Sequence, residues 1–205
     1  TKRFEQEFSK SHDVNHACFL NSGTSALHIA LLALKNRHRW NDGDEVIVPA
    51  VTFVATANIV LHNNMTPIFV DVEKDTYNID TTKIEEKITN KTRAIIPVHL
   101  LGLPASMKPI IELAEKYQLQ IIEDSAECMF AKYQNSMVGS IGTIGCFSTY
   151  IAHFLVTGVG GFATTNCSEL AIDMRSLMNH GRDGMYIGAS DDQGLEENEL
   201  EEVVG

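Results

Sequence analysis

Gln120-Ile121-Ile122-Glu123-Asp124-Ser125-Ala126-Glu127 is the stretch whose reading decides the fold. Its short β-branched run has the length and composition of a buried strand, and the carboxylates after it mark where the chain leaves the core. A carboxylate at the end of a buried strand is costly unless a cation or several donors meet it. Two readings of Asp124 follow: a cap on a helix N-terminus, or the partner of a positive group such as a protonated heterocyclic nitrogen. A helix-length amphipathic segment at 106–117 precedes the strand, so the local unit is helix then strand.

Working outward, the same alternation recurs. Strands are predicted at 17–20, 45–48, 67–72, 93–98 and 120–123. Helices are predicted at 25–34, 53–61, 81–88 and 106–117. Beyond Asp124 glycines at 139, 142, 145, 158, 160 and 161 separate strands near 146–150 and 161–165, and a last helix is predicted at 169–178. No internal repeat or linker interrupts the series. Strand–helix units in succession predict an α/β domain with a largely parallel sheet flanked by helices on both faces. In such sheets ligands bind beyond the carboxyl ends of the strands. Four candidate site segments fall there, at 21–25, 49–53, 124–127 and 148–153.

Composition narrows the class. The 205 residues are 44% hydrophobic and 21% charged, as in an ordinary soluble domain. No apolar run approaches the roughly 18–20 residues of a membrane span, and no signal-peptide pattern opens the chain. A net charge of −11 argues against a general nucleic-acid surface but leaves local anion sites open. Cys18, Cys128, Cys146 and Cys167 form no CxxC pair, so free thiols and a cytoplasmic setting are expected. His12, His16 and Cys18 lie close in sequence, but they lack a fourth ligand and a zinc spacing, and no metal site is expected. The chain opens on Thr1 and closes on an acidic run at 196–202, then Val203-Val204-Gly205, which reads as a fragment of a longer protein.

Ser22-Gly23-Thr24-Ser25 opens a helix directly after a strand. Free N–H groups and the helix dipole there would seat a phosphate; a plain N-cap turn is the simpler reading. The absence of GxxxxGK[ST] excludes a P-loop. Phe53 would stack on a flat ring or fill core.

The order of motifs goes further than any one of them. Ser22-Gly23-Thr24, Thr52-Phe53-Val54-Ala55-Thr56, Val98-His99-Leu100-Leu101-Gly102, the 123–127 stretch, Gly145-Cys146-Phe147-Ser148, Gly158-Val159-Gly160-Gly161 and Asn179-His180-Gly181-Arg182 follow one another along the chain. This series resembles the DegT/DnrJ/EryC1/StrS family of pyridoxal-phosphate sugar aminotransferases, from about residue 4 to 182. The resemblance implies the PLP-dependent transferase fold of the aspartate aminotransferase type (fold type I). Residues 1–205 would then form most of the large cofactor-binding domain, with an N-terminal segment and a small C-terminal domain outside them. It also implies a homodimer, a nucleotide-sugar substrate and an amino donor such as glutamate.

Carried over by resemblance, the backbone of Gly23, Thr24 and Ser25, with Ser148, holds the cofactor phosphate. Phe53 stacks on the pyridine ring, and Asp124 keeps the ring nitrogen protonated. Glu127 stands near the ring hydroxyl, where many members have glutamine. The family's lysine belongs five residues after Ser148, and here that position is His153. No lysine follows Lys132 anywhere in the chain. Val159 replaces the glutamate of the usual Gly-Glu-Gly-Gly turn.

Histidine cannot make the covalent link that lysine makes to the cofactor, but it can move a proton near neutral pH. Pyridoxal or pyridoxamine phosphate would then be bound non-covalently. Histidine at this position with glutamate at 127 resembles the sugar 3-dehydratase branch, which implies loss of the C3 hydroxyl from a nucleotide-linked 4-keto-6-deoxysugar. Cys128, Cys146 and Cys167 are too dispersed for that branch's iron–sulfur variant. Three other readings stay open: a sugar aminotransferase making a 4-amino sugar, a non-catalytic member that binds the cofactor, and His153 as a satisfied core histidine.

Overall fold

The computed structural model describes residues 1–182; the acidic run at 196–202 and the closing Val203-Val204-Gly205 lie outside them. The described elements are α1 (Lys2–Ser11), β1 (His16–Leu20), α2 (Gly23–His38), β2 (Glu45–Pro49), α3 (Ala55–His62), β3 (Thr66–Val70), β4 (Thr92–Ile95), α4 (Met107–Tyr117), β5 (Gln120–Asp124), β6 (Lys132–Tyr133), β7 (Ser136–Met137), β8 (Ile144–Ser148), β9 (Gly161–Thr165) and α5 (Ser168–Met178). Seven strands form one sheet in the order β1-β9-β8-β5-β4-β2-β3, and β6 and β7 make a separate small hairpin. The neighbours from β8 through β3 are parallel; β9 runs antiparallel to both β1 and β8. The expected largely parallel α/β sheet is therefore present, with a single reversed strand.

Strand alternation divides the core between the two faces. Val46, Val48, Ala94 and Ile122 pack with Leu27, Leu31 and Leu34 of α2 and Met174 of α5. Their sequence neighbours Ile47, Ile95 and Ile121 point the other way, toward Met107, Ile110 and Ala114 of α4. A third cluster joins Phe8 of α1 to Phe147 and Phe162 on β8 and β9, with the Phe8 and Phe162 rings stacked 3.8 Å apart.

The β6–β7 hairpin is not among the predicted strands, and two helical elements also differ from the sequence reading. The helix predicted at 81–88 is two short 3₁₀ turns, Thr81–Lys83 and Glu85–Lys87. Only Ile84 of that run is fully buried, and Asp80 caps the first turn by accepting the Thr82 N–H at 3.1 Å. A run with one fully buried side chain and two threonines at its start has too little packing to sustain an α-helix, whereas the equally short α3 buries four residues. The helix α1 was not predicted, although Phe4 and Phe8 stand at the helical spacing. Its Glu5 is buried, accepts the Phe19 N–H at 2.7 Å and pairs with Arg175 at 2.9 Å, which fastens α1 across β1 to α5. Among the described residues no helix is long and apolar enough to cross a membrane.

β5 is the centre of the arrangement. Glu123, fully buried, accepts the N–H groups of Gly139, Ile141 and Gly142 at 2.8, 2.8 and 2.6 Å. His99 Nε2 is 3.0 Å from the same carboxylate, while its Nδ1 accepts the Ala105 N–H at 3.0 Å. Those partners assign the ring proton to Nε2, which donates to Glu123. The expected result of Glu123→Gln is a loss of about 1–3 kcal/mol, because an amide presents donors to a site built of donors. Chemical denaturation at neutral pH checks it; an unchanged stability would show that the loop at 139–142 does not depend on this carboxylate.

Candidate functional site

A cavity of about 400 Å³ opens at the carboxyl ends of the parallel strands. Four segments that are distant in sequence line it: Gly23 and Thr24 at the start of α2, Thr52 and Phe53 before α3, Asp124 and Glu127 after β5, and Ser148 and His153 after β8. Seven of the eight residues singled out in the sequence thus meet in one place, and all four predicted strand-end segments contribute.

At the start of α2, Ser22 Oγ accepts the Ser25 N–H at 3.0 Å and donates to Ser25 Oγ at 2.9 Å. Ser25 is therefore occupied by the cap and does not line the cavity, unlike the expectation for it. Gly23 and Thr24 supply the first-turn N–H groups that a helix cannot satisfy itself. A Cβ at Gly23 would lie 2.8 Å from the Cβ of Ser148, so this turn sits against the end of β8 only because position 23 is glycine. Ser148 Oγ accepts the Tyr150 N–H at 3.3 Å, which leaves its own proton for another acceptor.

Asp124 is the last residue of β5, not the residue after it. Its Oδ2 accepts Thr56 Oγ1 at 2.8 Å and its Oδ1 accepts the Ala126 N–H at 3.3 Å. No helix starts there, which removes the capping reading. No cation pairs with it among the described residues, and burial pushes its carboxyl pKa up, outweighing the Thr56 and Ala126 bonds. Thr56 was missed in the sequence. Its signal was a hydroxyl on the otherwise apolar inner face of α3, beside Ala55, Ile59 and Val60.

Glu127 Oε2 accepts the N–H of Leu101 at 2.7 Å, and Leu101 holds a left-handed backbone at φ 53°. Phe53 is 72% exposed, which excludes the core reading for it. His153 turns back on Tyr150, its N–H donating to the Tyr150 carbonyl at 2.9 Å. Its ring Nδ1 is buried and has no hydrogen-bond partner among the described residues. A satisfied core histidine would have one, so that reading fails too. Val159, exposed, closes one side of the cavity.

His12, His16 and Cys18 go to different surroundings. His12 stacks on Phe8, His16 meets Ser168, and Cys18 is buried against α5. Among the described residues no three potential metal ligands come together.

Residues 1–195 match the family model described as the DegT/DnrJ/EryC1/StrS aminotransferase family. The chain belongs to that family. It is 43% identical over 180 residues to the GDP-perosamine synthase of Caulobacter vibrioides, covering 88% of this chain and 47% of the relative. It is 45% identical over 181 residues to the UDP-N-acetyl-3-dehydro-alpha-D-glucosamine 3-aminotransferase of Acidithiobacillus ferrooxidans, covering 88% and 48%. A crystal structure of GDP-4-keto-6-deoxymannose-3-dehydratase with a trapped PLP-glutamate geminal diamine superposes with a TM-score of 0.84 at 31% identity, covering 88% of this chain and 47% of that one. The chain spans about half the length of the family members it matches, and it has their α/β fold.

Asp124 gives a stability test with a definite sign. Its folded pKa lies above the unfolded one, so its contribution is present below the usual carboxylate range and is lost as pH rises through the folded pKa. Without cofactor, Asp124→Asn is expected to gain in Tm relative to wild type as pH is raised from about 4 to 8. Thermal melts of both proteins across that range check it, and a pH-independent difference would contradict a penalised carboxylate.

Proposed function

We propose that this chain is the cofactor-binding part of an enzyme that holds pyridoxal or pyridoxamine phosphate non-covalently and acts on a nucleotide-linked ketosugar. The observation that carries the proposal is His153, which lines the same cavity as Asp124, Glu127 and Ser148 in a chain with no lysine after Lys132. Family membership and the similarity to a PLP-bound dehydratase support the cofactor.

The residues fit such a group on three counts. The buried Asp124 carboxylate lacks a cation among the described residues, and a protonated pyridine nitrogen would supply one. The Gly23 and Thr24 amides and the Ser148 hydroxyl are donors for a phosphate at a helix N-terminus. Phe53 offers an uncovered ring face at the cavity. When bound, the cofactor supplies an electron sink and, in its amine form, a nucleophile for a ketone.

The chain's own contribution is to orient and to move a proton. Asp124, held by Thr56 and the Ala126 N–H, would hold the ring nitrogen, and Ser148 and the α2 turn would hold the phosphate. Glu127 presents a carboxylate whose Oε2 is already engaged by Leu101, so Oε1 remains as an acceptor toward the cavity. His153, with its unpartnered Nδ1, takes and returns protons in place of the lysine.

Two products are compatible with this machinery. Histidine at 153 together with glutamate at 127 favours loss of the C3 hydroxyl from a 4-keto-6-deoxysugar. Overall identity favours amino transfer by a small margin, since 43% and 45% to the synthase and the aminotransferase exceed 38% to the dTDP-4-dehydro-2,6-dideoxy-D-glucose 3-dehydratase of Saccharopolyspora spinosa. By overall similarity the aminotransferase reading is the stronger; by the residue at the lysine position the dehydratase reading is. Glutamate would restore the amine form in either case. Phe53, exposed at the cavity, and Leu101, Ile151 and Phe154, exposed and adjacent in sequence to its lining residues, support a second copy of the chain covering it, in a cytoplasmic homodimer.

Full-length protein incubated with nucleotide-4-ketosugars, pyridoxamine phosphate and glutamate separates the readings by product mass and ammonia release. A 3-deoxy-4-keto product supports dehydration, a 4-amino sugar supports amino transfer, and cofactor binding without turnover supports a non-catalytic member. His153→Asn is expected to keep cofactor affinity and to lower turnover about 10²–10⁴-fold. Ser148→Ala is expected to weaken the cofactor about ten- to a hundredfold with the product unchanged, read by spectral titration. Unchanged affinity would place the phosphate elsewhere.

A further inference from the structure

Thr149 is fully buried where the chain leaves β8, and Thr157 lies at the far end of the loop that carries His153. Backbone bonds close the loop at this base: the Thr149 N–H donates to the Gly160 carbonyl at 2.9 Å, and the Thr157 N–H to the Thr149 carbonyl at 3.1 Å. The two hydroxyl oxygens are 2.7 Å apart, and Thr157 Oγ1 donates to the Val159 carbonyl at 3.3 Å. A threonine hydroxyl has one proton. Thr149 is fully buried and its hydroxyl has no other acceptor among the described residues, so the bond between the hydroxyls runs from Thr149 to Thr157 and leaves the Thr157 proton for Val159. The result is a chain of two bonds with a defined direction, from Thr149 through Thr157 to the turn at 159.

Position 160 is built around this chain. A Cβ there would lie 2.5 Å from Thr149 Oγ1 and 2.7 Å from Thr157 Oγ1. Above the base the loop has little else to hold it. Ile151 and Phe154 are 71% and 72% exposed, and Leu155 packs only partly, against the Phe147–Phe162 cluster. The turn contact between His153 and Tyr150 is internal to the loop.

We propose that Thr149 and Thr157 form a hydroxyl clasp that positions His153 over the cavity, so that both are positioning residues for it. The proposal rests on His153 being the proton carrier. It also gives Thr149 a task and explains how the turn at 158–161 keeps its shape with Val159, whose side chain can accept no hydrogen bond: the turn is fixed through the Val159 carbonyl.

The direction of the chain makes the two valine variants unequal. Thr149→Val removes a donor and leaves Thr157 still bonded to Val159. Thr157→Val leaves the Thr149 hydroxyl buried with no acceptor, and is expected to be the more harmful. Two measurements on the full-length protein, neither requiring turnover, test this: amide hydrogen exchange, and the pH profile of His153 modification by diethyl pyrocarbonate, located by mass spectrometry. In Thr157→Val we expect exchange at 149–160 to quicken about tenfold or more, with β2 and β5 unchanged, and the His153 profile to shift. Thr149→Val should shift both less, Thr157→Ser should restore both, and Thr149→Val/Thr157→Val should be no worse than Thr157→Val alone.

A folded Thr157→Val protein with a wild-type His153 profile would overturn the clasp. So would exchange that quickens equally throughout the sheet, which is the mark of a structural role only. If pyridoxal phosphate fails to shield wild-type His153 while the variants behave as stated, the reading of His153 is overturned and the clasp stands as a feature of the loop.

Discussion

A carboxylate without access to water must find donors, and Glu123 finds four. Three backbone N–H groups of the 139–142 loop and the His99 imidazole converge on it, which ties the loop before β8 and the segment after β4 to the end of β5. Because strand residues alternate sides, fixing Glu123 on one face sets Asp124 on the other, toward the cavity. The next bonds follow the same line: the His99 N–H reaches the Asp124 carbonyl at 3.0 Å, and the Ser125 N–H reaches Cys146 on β8 at 2.8 Å.

The two adjacent carboxylates show how burial acquires opposite meanings. Glu123 has its donors in the fold itself. Asp124 has two, Thr56 Oγ1 and the Ala126 N–H, and they do not offset its desolvation. That imbalance is the electrostatic counterpart of the unpartnered Nδ1 of His153 across the same cavity. Both are polar groups held out of water with less than their full set of partners, and a cationic, proton-exchanging ligand would complete them.

The apolar mouth of the site is a separate matter from its polar floor. Phe53 and Val159 are exposed at a cavity whose base carries Asp124 and Ser148, and Leu101, Ile151 and Phe154, next in sequence to other lining residues, are exposed as well. The polar floor is held by hydrogen bonds within one chain, whereas the apolar rim finds no burial within the described residues. The loop bearing His153 belongs to the rim and is anchored to the floor by its threonines.

Much of this was legible in the sequence. The alternation of short apolar runs with helix-length segments determined the α/β class, and the order of motifs determined the family and seven of the cavity residues. Those are local or sequential properties, which a single strand or turn already expresses. Failures came where local pattern was outvoted. Residues 81–88 had helical spacing but only one buried anchor, and Ser25 belonged to a phosphate motif but was consumed by the Ser22 cap. The role of Thr56, the Leu101 N–H on Glu127 and the Thr149–Thr157 bond were decided by tertiary structure alone, because each joins groups whose proximity depends on how strands pair and loops close. Sequence likewise identified a histidine where a lysine was expected. Only the fold could establish that its ring reaches the same cavity as Asp124, since that depends on β8 lying beside β5.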